Sequence, residues 1–178
     1  MISHLVAVLA GWLAPWQSAY SGSKLLETGV VSAHLVALLF GGGLAVAADR
    51  AMLRALRTGP AARDIALNDL RAAHRPVLIA LGAQFVSGVA LAAADVNTFA
   101  NSPVFLVKLT LVTLLCINGA VLFHTEQALG REPADGTTDR TVVGRTHRLW
   151  TRLRTTAWLS LTLWTCTVVT GIALVNAG

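Results

Sequence analysis

Five histidines and one lysine carry most of the chemistry open to this chain. His34 falls inside an uncharged run from Thr28 to Ala48, and Lys108 inside a run from Pro103 to Thr125. His74 stands just before the apolar run from Pro76 to Ala94. His124 stands near the end of the run holding Lys108, and His147 shortly before the run from Thr155 to Val175. Imidazole titrates near neutral pH and ligates metals and haem iron. An ionisable group within an apolar run is costly and is by default a functional candidate. Two constellations follow. His34, Lys108 and Asp95 are candidates for one polar pocket, with Lys108 snorkelling to the surface as the plainer alternative. His74, His124 and His147 are candidate ligands for a metal ion or a single b-type haem, with interfacial anchoring as their plainer alternative. Gln84, Asn118 and Asp49 are candidate interhelical polar contacts, and a Gln84–Asn118 hydrogen bond is expected.

Catalytic constellations are missing from the sequence. It has no Ser/His/Asp set, P-loop, HExxH or Rossmann glycine pattern. Its carboxylates stand at the ends of apolar runs or between them, so paired acid–base work is not indicated. Cys116 and Cys166 are isolated inside apolar runs, forming neither a metal motif nor a disulfide framework. With Met1 and Met52 the only methionines, a soft copper site is poorly supplied with ligands.

The elements that must position these groups are membrane helices. Of 178 residues, 54% are hydrophobic and 13% charged, against about 25% charged in soluble domains. The Thr28–Ala48 run alone is long enough to cross the hydrocarbon core as a helix. The expected fold is all-α, an integral membrane four-helix bundle. It forms one transmembrane domain over 1–178, with spans near 28–49, 76–95, 103–125 and 155–175. Ile2 to Trp16, closed by Pro15 and carrying Trp12 and Trp16, reads as a short interfacial helix or one packed against the bundle mouth. Ser18 to Ser23 reads as a linker. Arg50–Arg75 reads as a polar segment with a turn at Thr58-Gly59-Pro60 and a short amphipathic helix from Asp64. In Glu126–Arg154, Gly130 and Pro133–Thr138 suggest loop, and Arg140–Arg154 suggests an extension of the last helix.

The net charge of +5 comes from twelve arginines, all in these two polar segments, and two lysines. That distribution suits lipid headgroups rather than nucleic acid. Basic loops stay in the cytoplasm, so both termini are expected outside it, in a bacterial inner membrane. Counting residues at the helical rise places His34 about 9 Å and Lys108 about 8 Å inside the outer boundary. His34 and His124 then differ in depth by roughly 20 Å, too far to share one iron. An outer haem would need His4 as its second ligand.

The series His34, Gly41-Gly42-Gly43, Asp49-Arg50, Ser87-Gly88, Asn101-Ser102-Pro103-Val104-Phe105-Leu106-Val107-Lys108, Asn118, Phe123-His124, Leu163-Trp164 and Gly171 resembles a bacterial family of uncharacterised four-span membrane proteins. That family is loosely similar to the membrane part of CopD-type copper-resistance proteins and to b561-type four-helix cytochromes. Here Gly171 is followed by Ile172, where the family often has an arginine. The resemblance implies a four-helix membrane bundle with His34, Asp49, Lys108 and His124 as candidate functional positions. Function expected from the sequence is a non-enzymatic accessory or binding subunit in the bilayer, working with other membrane subunits or as a homo-oligomer. Alternatives are a b-type haem or metal redox module using His74, His124 and His147, and a small oligomeric transporter.

Overall fold

The computed structural model describes residues 2–131 and 140–176, without the side chains of 2–7, 101, 140–143 and 175–176. The fold is all-α, with no strand among the described residues. Six helices follow one another: α1 (Ile2–Gly22), α2 (Lys24–Thr58), α3 (Pro60–Ala94), α4 (Val96–Asn101), α5 (Pro103–Gly130) and α6 (Arg140–Asn176). Four of them, α2, α3, α5 and α6, are long and apolar enough to cross a bilayer and form the bundle. The chain is a multi-pass membrane protein. Large apolar side chains such as Leu39, Phe40, Phe85, Val86 and Ile117 stand more than half exposed on these helices, where lipid is their solvent.

Local sequence explains where the helices begin. Ser23 Oγ accepts from Leu26 N–H at the start of α2, and Ser102 Oγ accepts from Phe105 N–H at the start of α5. Asp95 Oδ1 does the same for Thr98 N–H at α4. Each cap satisfies one of the amides that a helix start leaves without a helical partner. Pro60 and Pro103 occupy first helical positions, where a missing N–H costs nothing. Between α2 and α3 stands the single residue Gly59, with φ of 146°, a conformation side-chain-bearing residues rarely adopt.

Three sequence expectations about boundaries are corrected. The N-terminal helix does not stop at Trp16. It runs through Pro15 to Gly22, so Ser18–Gly22 is helix rather than linker. Pro76 lies inside α3 rather than in its first turn, because the helix already starts at Pro60. The polar stretch after Asp49 is helical beyond the short helix expected from Asp64: α2 continues to Thr58 and α3 takes over one residue later. The stretch 133–138 lies outside the described residues.

The contacts divide the chain into two compact units. The first comprises Met1–Gly43, Pro76–Thr110 and Val169–Gly178. Within it, α1 is tied to the end of α3: Trp16 Nε1–H donates to the Ala90 carbonyl at 2.9 Å, and Gln17 Nε2–H to the Ala93 carbonyl at 3.3 Å. Helix α1 also packs on α4. Gly41 of α2 meets α3 so closely that a Cβ there would lie 2.8 Å from Ala80 Cβ.

The second unit comprises Leu44–Arg75 and Leu111–Val168. It holds the apolar core cluster: Met52, Ala55, Ala66, Leu67, Leu70, Leu122, Leu129 and Leu153, with Leu149 and Trp150 against it. Met52, Ala55 and Leu56 recur at helical spacing on α2, and Ala62, Ala66 and Leu70 do so on α3. These stripes turn an arginine-rich stretch into a packed hairpin, because a helix with one apolar face must bury it.

Candidate functional site

In the first unit the site is built around His34, half-buried on α2. Its Nδ1 lies 3.0 Å from Ser87 Oγ, and its Nε2 lies 2.9 Å from Gln84 Nε2, both on α3. The Ser87 hydroxyl donates back to the Ala83 carbonyl at 2.7 Å. That leaves its oxygen to accept from His34 Nδ1–H, while Nε2 accepts from the Gln84 amide. One proton assignment closes the chain, with a neutral imidazole protonated at Nδ1. Gly88 makes room for the ring, since a Cβ at that position would lie 3.3 Å from His34 Cε1.

Lys108 of α5 is half-buried in the same unit. The ammonium rests over α6 at Gly171, where a Cβ would come within 3.5 Å of Nζ. Among the described residues no carboxylate lies within ion-pair distance of it. Asp95 is exposed and serves as the cap of α4 instead of pairing with Lys108, which corrects that part of the expected pocket. Gln84 Oε1 is buried without a hydrogen-bond partner among the described residues. His34, Gln84 and Ser87 thus form one polar cluster, drawn from α2 and α3, with Lys108 of α5 in the same unit.

The expected Gln84–Asn118 bond does not form. The Gln84 amide is engaged by His34, and Asn118 Nδ2–H donates 3.0 Å to the Thr156 carbonyl within the second unit. The Thr156 hydroxyl itself bonds back into its own helix, to the Arg152 and Leu153 carbonyls. Asp49 also lies in the second unit. It is 2% exposed, and its Oδ2 has no hydrogen-bond partner among the described residues.

Sequence reading missed Glu126. It is 3% exposed, paired through Oε1 with Arg71 Nε at 3.4 Å, and its Oε2 has no partner among the described residues. Its position one residue beyond an apolar run was the available signal. Arg63 was missed as well: its guanidinium lies 5.5 Å from the Trp150 ring centre and donates to the Leu56 carbonyl. Cation and aromatic face attract electrostatically at that range.

The three histidines of the second unit do not converge on one point. His74 is half-buried with its ring stacked on Phe123 at 4.5 Å between centres. His124 is exposed, 5.8 Å from the same phenyl ring, and His147 is exposed. Among the described residues no three His, Cys, Asp or Glu side chains are grouped to hold a metal ion. His34 does not fit an axial haem ligand, since both ring nitrogens are engaged inside the protein. The side chain of His4 lies outside those described. No protein-family model, curated protein or solved structure matches the chain.

Proposed function

We propose that this chain is a non-enzymatic binding or accessory subunit of a bacterial inner membrane. Its arginine-rich segments lie in the cytoplasm and both termini outside it, and an outer polar cluster receives an anionic group. The observation that carries the reading is the closed network at His34. With Nδ1 and Nε2 held by Ser87 and Gln84, the imidazole is a neutral clamp between α2 and α3, not a ligand in waiting. That leaves Lys108, half-buried in the same unit, as the cation open to such a group, with no carboxylate within ion-pair distance of it among the described residues. A charge held in an apolar environment is stabilised when an opposite charge joins it. The carboxylate of a partner's helix or the acidic group of a small ligand would supply that charge. The test is native electrophoresis after mild detergent extraction from the source membrane, comparing wild type with Lys108→Met. The reading expects a large complex in wild type and a smaller species in the variant, at unchanged expression. A wild-type chain migrating alone at 18.7 kDa plus detergent would overturn the subunit reading.

A second reading rests on His74 and His124, which share Phe123 as a ring neighbour. It makes the second unit the seat of a single b-type haem. Purified protein with a Soret band that disappears in His124→Ala would establish it, and a colourless, haem-free preparation would remove it.

A further inference from the structure

The second unit carries a cleft lined by Leu53, Leu56 and Arg57 of α2 and by Arg154 and Trp158 of α6. Its two arginines come from different helices and line one opening. The other arginines described above are occupied within the fold: Arg71 is paired with Glu126, and Arg63 bonds Leu56 and faces Trp150. Arg57 and Arg154 are exposed, and among the described residues no carboxylate lies within ion-pair distance of either. The rest of the lining is apolar, with Trp158 51% exposed. Arg154 is the last charged residue before the uncharged run that begins at Thr155, so the cleft stands where α6 passes from charged to apolar sequence. Tryptophan is enriched at that level of a bilayer.

We infer that this cleft is a binding site for the headgroup phosphate of one anionic phospholipid. Paired guanidiniums match the oxygens of a phosphate with parallel N–H donors. Leu53, Leu56 and Trp158 give the glycerol and first acyl carbons an apolar wall, which a free anion would not use. Two sources of the phosphate are therefore separable by experiment.

The experiment follows thermal unfolding of the detergent-purified protein during titration with phosphatidylglycerol, phosphatidylcholine or inorganic phosphate. Saturable stabilisation by phosphatidylglycerol is expected, with none from the other two at equal concentration. In Arg57→Gln/Arg154→Gln the half-saturating concentration should rise about thirtyfold, the effect of losing two basic contacts to an anionic headgroup. An Arg50→Gln/Arg131→Gln control, altering exposed arginines outside the cleft, should leave it unchanged. Equal stabilisation by inorganic phosphate would mean a free-anion site and overturn the lipid assignment. Equal stabilisation by phosphatidylcholine, or an identical loss in the control, would show that no specific headgroup is read. The wild-type comparison among the three additives stands even if the double variant fails to fold.

Discussion

At the scale of single residues, the pivotal group is an imidazole whose two nitrogens are both engaged inside the protein. Removing it leaves the Gln84 amide without its acceptor, whereas Ser87 keeps its bond to the Ala83 carbonyl. His34→Ala should therefore lower stability by about 1–3 kcal/mol, the range for orphaning a buried polar group. Ser87→Ala, which leaves the His34 Nδ1–H without its acceptor, should cost about 1 kcal/mol. Thermal unfolding in a single detergent checks both, and a His34→Ala variant as stable as wild type would contradict the network. Glu126 presents the opposite case, a charged group at 3% exposure with one guanidinium beside it. Arg71→Ala should destabilise by about 1–3 kcal/mol, towards the lower end because Arg71 itself is 41% exposed. Adding Glu126→Gln to that variant should restore part of the loss, since an amide costs less to bury than an unpaired carboxylate. Additive losses in the double variant would show that the pair is not coupled.

At the scale of elements, glycines decide how α2 and α3 meet. Gly41 cannot carry a side chain without displacing Ala80, whereas a Cβ at Gly43 would meet nothing within 4 Å. Gly41→Val should cost about 1–3 kcal/mol through overpacking, and Gly43→Ala should be nearly neutral. Equal effects of the two would place the contact elsewhere. Gly59 is the whole connection between these helices, and its φ of 146° should make Gly59→Ala destabilising by about 1–3 kcal/mol. Chemical denaturation of the three glycine variants side by side checks these costs. The turn at Thr58-Gly59-Pro60 was legible in the sequence because glycine and proline punctuate helices. The full extent of the helices flanking it was not, beyond the short helix expected from Asp64, because six arginines masked the apolar stripe of Met52, Ala55, Ala66, Leu67 and Leu70. Averaged hydropathy reports charge density, while a helix buries by face. Likewise Pro15 and Pro76 read as helix boundaries, yet both stand inside helices.

At the scale of the whole molecule, the arginine distribution predicts one orientation. Cysteines introduced singly at Thr58 and Thr98, with Cys116 and Cys166 replaced, report it through a membrane-impermeant thiol reagent applied to intact cells. The proposed orientation requires Thr98 to be labelled and Thr58 protected. The reverse pattern would invert the molecule and place Lys108 on the cytoplasmic side.

The sequence by itself determined that the chain is all-α and membrane-spanning, since four long apolar runs admit few other solutions in hydrocarbon. It also singled out His34 and Lys108 as candidates, because polar groups in such runs are costly enough to stand out. Partners were another matter. That Gln84 serves His34 while Asn118 serves the Thr156 carbonyl, and that Asp95 caps a helix and leaves Lys108 without it, only the tertiary structure decided. Depth along a helix follows from residue count, but which face meets which neighbour depends on rotation and on close contacts such as Gly41 against Ala80. No periodicity along a single chain contains that information.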